Sequence, residues 1–237
     1  MDWTNYKAAL FDLDGVVTPT AQVHMIAWNE MFSEFLASRG IPEPYTDSDY
    51  FAYVDGKPRY DGVRAMLASR GIEIPDGEPD DPASAETVCG LGNRKNAVFT
   101  QVLERDGVQA YPGSVALIEH LLATGTRIAV VSSSQNAPSV LRAAGLLDKF
   151  ELVVDGKLAK QNSLPGKPAP DTFAYAAAEL DATNAEAVVL EDAVSGVQAG
   201  RAGDFGLVIG VDRGAGADEL TQAGADVVVT DLAELIA

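Results

Sequence analysis

Hydrophobic and polar positions along this chain fall into blocks, and the period changes from block to block. Ala8 to Asp14 reads AALFDLD, an apolar run that ends in two carboxylates just before Gly15. That pattern predicts a short buried strand followed by a turn. From Thr20 the period becomes helical, with Val23, Ala27, Met31 and Phe35 on one face until Gly40 and Pro42 stop it. Residues 60–71 and 93–106 also carry a helical pattern. Between them, Glu73 to Glu86 (EIPDGEPDDPASAE) is rich in Pro and Asp and reads as an exposed loop or an insertion.

After Pro112 and Gly113 the texture becomes a regular alternation. SVALIEHLLATG, APSVLRAAG, PDTFAYAAAEL and SGVQAGRAG are helical. RIAVVSS, ELVVD, EAVVLED, FGLVIGV and ADVVV are β-rich. Strands that alternate with helices predict an α/β fold, a doubly wound, Rossmann-like parallel sheet covered on both faces. The first strand is cut off from the rest by the helical stretch. The expected organisation is therefore a core formed by residues 1–19 and 106–237, with an inserted helical domain over 20–105.

Composition narrows the class. Of the 237 residues, 47% are hydrophobic, enough for a core and too many for a disordered chain. No apolar run approaches the roughly 18 residues that span a bilayer, and Met1 to Asp14 lacks a secretory pattern. A cytoplasmic, monomeric protein is expected. The single Cys89 excludes an internal disulfide and a multi-cysteine zinc site. Acidic residues outnumber basic ones 35 to 17, and the net charge of −18 repels nucleic acid and anionic lipid. A small anionic substrate remains compatible if its pocket is locally positive.

In an open parallel sheet, ligands sit beyond the carboxyl ends of the strands. The polar residues there are Asp12 and Asp14, Ser132, and Glu191 with Asp192; Lys167 lies in GKPAPD before a helix. A continuing strand would point Asp12 and Asp14 to one face. Carboxylates that converge at a sheet edge repel one another unless a cation joins them, and a set of oxygen ligands favours Mg²⁺. A carboxylate can also act as nucleophile, with a lysine and a hydroxyl holding phosphoryl oxygens. Taken singly, each feature has an ordinary structural explanation: Asp-Gly is a turn signal, Ser132 could cap a helix, and Lys167 could be a solvated loop residue.

Together, FDLDGVVTPT, VVSSS, GKPAPDTF and LEDAVSGVQAG resemble, in order, the four motifs of the haloacid-dehalogenase-like phosphotransferase superfamily. The resemblance implies Asp12 as nucleophile and Asp14 as general acid/base. It makes Ser132 and Lys167 phosphate holders, and Asp12, Asp14, Glu191 and Asp192 the Mg²⁺ ligands. Within the insertion, TAQVHMIAW, VDGKPR and NRKN are similar to segments of the β-phosphoglucomutase subgroup. That likeness implies substrate contacts from Thr20, His24, Gly56, Arg59 and Lys95, and from Ser134 and Asn136 of SSSQN. The implied reaction moves a phosphoryl group through an aspartyl-phosphate, converting β-D-glucose 1-phosphate to glucose 6-phosphate. The rivals are a sugar-phosphate phosphatase of the same fold and, less well matched to the acidic set, a dehalogenase. Pro19, the long Glu73–Glu86 loop and DGKLAKQNSLPG depart from the subgroup pattern and bear on which sugar is bound.

Overall fold

The computed structural model describes residues 1–236. Its strands are β1 (Ala8–Phe11), β2 (Arg127–Val131), β3 (Leu152–Val154), β4 (Ala187–Glu191), β5 (Leu207–Val211) and β6 (Val227–Val229). All pair in parallel, in the order β3-β2-β1-β4-β5-β6, with Ala8 opposite both Arg127 and Ala187. The strand order reverses between β1 and β4, so the crevice beyond their carboxyl ends is the place for chemistry. Every residue of β1 and β4 is buried, which explains the apolar runs Ala8–Phe11 and 187–190; β4 then ends in the buried Glu191.

The helices are α1 (Thr20–Ser38), α2 (Asp47–Asp49), α3 (Arg59–Ser69), α4 (Val88–Asp106), α5 (Pro112–Thr124), α6 (Ala137–Ala143), α7 (Gly156–Gln161), α8 (Asp171–Glu179), α9 (Val194–Ala202) and α10 (Ala217–Ala223). One turn of π-helix, Tyr50–Val54, follows α2. Among the described residues, no helix is long and apolar enough to cross a membrane.

Two compact units result. Unit 1 comprises Met1–Thr20 and Val108–Ala237, and unit 2 comprises Ala21–Gly107. In unit 1, Leu10, Val189 and Val208 share a core with Phe173, Ala176 and Ala177 of α8 and Val197 of α9. In unit 2 the apolar face of α1 extends through Trp28, Met31, Phe32, Phe35 and Leu36. Trp28 stacks on Phe32 at 5.3 Å and Phe32 on Tyr45 at 5.1 Å, contacts that add to the burial of large rings.

Helix α4 starts at Val88, earlier than the periodicity suggests. Gly90 and Gly92 weaken the local helical signal, but Thr87 caps the helix by accepting from the Gly90 N–H at 2.9 Å. The Pro- and Asp-rich loop before it has no regular structure and is held by its own bonds. Asp81 accepts from the Thr87 hydroxyl at 2.6 Å, and the Val88 N–H donates to the Pro75 carbonyl at 3.0 Å.

Candidate active site

The ladder at the end of β1 extends one step beyond the strand, where the Asp12 N–H donates to the Leu190 carbonyl at 2.9 Å. The chain then turns instead of continuing extended, so Asp12 and Asp14 are set by a turn rather than by strand alternation. Gly15 adopts φ +88°, and its N–H donates to the Thr18 carbonyl at 2.7 Å. A side chain here would meet more than backbone strain. A Cβ on Gly15 would lie 1.8 Å from Asp192 Oδ2, so the Asp192 carboxylate rests directly over this turn.

Three predicted residues converge beneath it. Lys167 is 3% exposed; its ammonium donates to Asp12 Oδ1, to Glu191 Oε1 and, at 3.1 Å, to the Val131 carbonyl. Its three donors are thereby used. Glu191 Oε2 accepts from the Ala193 N–H at 2.8 Å, so both of its oxygens have protein partners. Thr20, expected on a substrate, donates its hydroxyl to Asp14 Oδ1 and sits 2.7 Å from the Thr18 hydroxyl. After β2, Ser132 Oγ accepts from the Ser134 N–H at 3.1 Å, and Ser134 Oγ accepts from the Asn136 N–H at 3.2 Å. This staircase fixes the loop that carries all three predicted residues.

Electrostatics follow from burial. Burial penalises the charge on Lys167, but Asp12 and Glu191 outweigh it and hold the ammonium well above its usual range. Burial pushes Asp12 well up; Lys167 pulls it back, while Glu191 and Asp14 add to the rise. Among the described residues no three His, Cys, Asp or Glu side chains form a ligand cluster, and Asp12 and Glu191 each pair with Lys167. The donors are nevertheless hard oxygens at adjacent strand ends, and Gly15 leaves room for Asp192 against the turn. That set suits a hard divalent cation.

Unit 2 holds a second group. His24 Nδ1 contacts the ammonium of Lys95, which is 3% exposed and lies 4.9 Å from the Trp28 ring and 5.1 Å from the Phe99 ring. His24 itself stacks on Phe99 at 4.2 Å. Arg59 begins α3 and donates to Asn93 Oδ1 at 3.2 Å. Among the described residues it has no carboxylate partner. Burial lowers its pKa, leaving a half-buried cation with neutral neighbours. Gly56 lies in the turn before α3, at φ +70°.

The family model for haloacid dehalogenase-like hydrolases matches residues 6–204. The chain belongs to this family. A β-phosphoglucomutase of Mycobacterium bovis is 52% identical over 240 aligned positions, spanning 97% of this chain and 91% of the relative. A β-phosphoglucomutase of Bacillus subtilis is 33% identical, with 97% and 91% covered. The crystal structure of a β-phosphoglucomutase from Clostridium difficile shares the fold with a TM-score of 0.79 at 23% identity, covering 97% of this chain and 93% of that one.

This haloacid dehalogenase-like hydrolase also uses residues that the motifs do not announce. Arg213, just after β5, donates to the Gly15 carbonyl at 3.0 Å and the Thr230 carbonyl at 2.7 Å, and its guanidinium lies 4.0 Å from the Tyr111 ring. It thus ties down the turn that carries Asp14. Polar residues just past a strand were the available signal, and Arg213 satisfies it. Asp155, after β3, caps α7 by accepting from the Lys157 and Leu158 N–H groups at 3.0 and 2.8 Å.

Proposed function

We propose that this chain is a magnesium-dependent β-phosphoglucomutase that interconverts β-D-glucose 1-phosphate and glucose 6-phosphate through a phosphoryl group carried on Asp12. Unit 1 performs the transfer, and unit 2 acts as the cap that engages the sugar phosphate. The observation that carries the mutase reading is the presence of two separate cationic groups, Lys167 in one unit and Arg59 in the other. A bisphosphate intermediate offers two phosphates to match them. Identity of 52% and 33%, over nearly the full length of named β-phosphoglucomutases, supports the choice of sugar.

The steps follow from the side chains. Asp12 attacks the phosphorus; Lys167 exchanges its bond to Asp12 for one to a phosphoryl oxygen, and Ser132 holds another. Asp14, oriented by the Thr20 hydroxyl, takes the proton from the attacking sugar hydroxyl and returns it to the leaving oxygen. Asp12, Asp192 and the Asp14 carbonyl would hold Mg²⁺, which when bound would neutralise charge on the phosphoryl oxygens. Glu191 belongs to this set through Lys167, which it fixes in place. His24 and Lys95, with Ser134 and Asn136, complete the contacts to the sugar phosphate.

The test follows glucose 6-phosphate and inorganic phosphate together, starting from β-glucose 1-phosphate, Mg²⁺ and a trace of the 1,6-bisphosphate. Glucose 6-phosphate without matching phosphate release is the expected outcome. Phosphate release at a comparable rate would mean that water, not a sugar hydroxyl, attacks the phosphorylated Asp12, and the enzyme would be a phosphatase. In the same assay Arg59→Ala should raise KM by about 10- to 100-fold, the worth of one charge-assisted contact. Hydrolysis of a small aryl phosphate should fall much less. Equal losses would remove Arg59 from the distal phosphate.

A further inference from the structure

Asn93 lies on α4, two positions before Lys95, and every polar atom of its side chain is engaged. Its Nδ2 donates to the Pro79 carbonyl at 3.1 Å and the Asp81 carbonyl at 2.9 Å. Its Oδ1 accepts from the Tyr60 hydroxyl at 3.0 Å and from Arg59 Nη1 at 3.2 Å. The amide cannot be reversed without conflict. Both carbonyls only accept, so the NH₂ must face them and the oxygen must face Arg59. One side chain therefore joins the guanidinium to the Pro- and Asp-rich loop.

Charge gives this link its meaning. The loop is acidic, yet three of its carboxylates are engaged elsewhere: Asp76 pairs with Arg64 at 2.8 Å, Glu86 with Arg39 at 2.7 Å, and Asp81 with the Thr87 hydroxyl. What stands between Arg59 and the loop is the neutral amide of Asn93 on α4. It can orient the guanidinium without consuming its charge. The preceding residue makes room for the arrangement, because a Cβ on Gly92 would come within 2.8 Å of the Tyr60 ring and 3.1 Å of Arg59 Cδ.

We propose that Asn93 is a positioning residue that aims Arg59 at an anionic substrate and makes that hold depend on the 76–87 loop. The proposal rests on the reading of Arg59 as the residue that takes the second phosphate, and it identifies what sets the strength of that contact. Replacing the amide by a carboxylate keeps the shape, neutralises Arg59 and turns two donated hydrogen bonds into repulsions with carbonyls.

The experiment measures KM and kcat for bisphosphate-primed β-glucose 1-phosphate in the wild type, Arg59→Ala, Asn93→Asp, Gly92→Ala and the double variant Arg59→Ala/Asn93→Asp. Asn93→Asp should raise KM about tenfold with a smaller change in kcat, and Gly92→Ala should move KM in the same direction. In the Arg59→Ala background the effect of Asn93→Asp should shrink to less than about twofold, because its target is gone. A purely structural role would persist there, and an effect of undiminished size would overturn the proposal. So would an unchanged KM in Asn93→Asp and Gly92→Ala while Arg59→Ala raises it. If Arg59→Ala itself leaves KM unmoved, the phosphate role of Arg59 fails first and the role of Asn93 falls with it. Should Asn93→Asp fail to fold, Asn93→Ala removes both the acceptor for Arg59 and the donors to the loop, and its rise in KM should likewise shrink in the Arg59→Ala background.

Discussion

Asp12→Asn is expected to lower mutase turnover by at least about 10⁴-fold while leaving the fold intact, because the carboxylate is the only group assigned to form the covalent intermediate. The amide is isosteric, and its oxygen can still accept from Lys167, so the buried ammonium keeps Glu191 and an amide as partners. Circular dichroism and a melting curve near the wild type would confirm that chemistry alone was removed. Acid-quenched protein incubated with the bisphosphate should carry no acid-stable, hydroxylamine-labile phosphate. Turnover within tenfold of the wild type would refute the assignment of Asp12 as nucleophile.

Removing the cation between the carboxylates should be costly in a second way. Lys167→Met leaves Asp12 and Glu191 facing each other without the charge that now separates them, in a site where Glu191 is fully buried. Breaking a buried pair in this way typically costs about 3–5 kcal/mol. Activity should fall as well, since the same ammonium is assigned to a phosphoryl oxygen. The stability loss has a pH signature. With the ammonium gone, the Asp12 carboxyl loses the charge that pulls it back down and titrates still higher in the folded than in the unfolded chain, so the folded state binds more protons between those two values. Stability relative to the wild type therefore falls as pH rises above the ordinary carboxylate range. Urea denaturation in EDTA at pH 5 and pH 8 should show the larger deficit at pH 8. Equal deficits would mean that Lys167 contributes packing rather than charge.

Much of this architecture was legible because its causes are local. Fully buried parallel strands must read as apolar runs, and β1 does so throughout and β4 up to its last residue, Glu191. The residues that follow them, Asp12 and Asp192, stand at the crossover because strand order and connection handedness leave few alternatives. Other features depend on partners far away in sequence. That Thr20 serves Asp14, and Glu191 serves Lys167, is a matter of which neighbour each side chain meets. Asn93 reaches Arg59 across 34 positions and Arg213 reaches Gly15 across 198; no periodicity encodes either meeting. The π-turn at Tyr50–Val54 was likewise unreadable, because its residue types suit an ordinary helix equally well.

The point where the chain leaves unit 1 has one more consequence. The Tyr111 N–H donates to the Val17 carbonyl at 3.0 Å, and the Ser114 hydroxyl donates to the Val16 carbonyl at 2.6 Å. Departure and return are thus stitched side by side on the sheet's own framework. An excursion that begins and ends at one doorway adds little loop-closure entropy however long it grows, since that cost rises only with the logarithm of length. Selection could then lengthen, shorten or exchange residues 21–107 without renegotiating the six-stranded sheet. In such a protein the doorway stays fixed while the length of chain hung from it is free to vary.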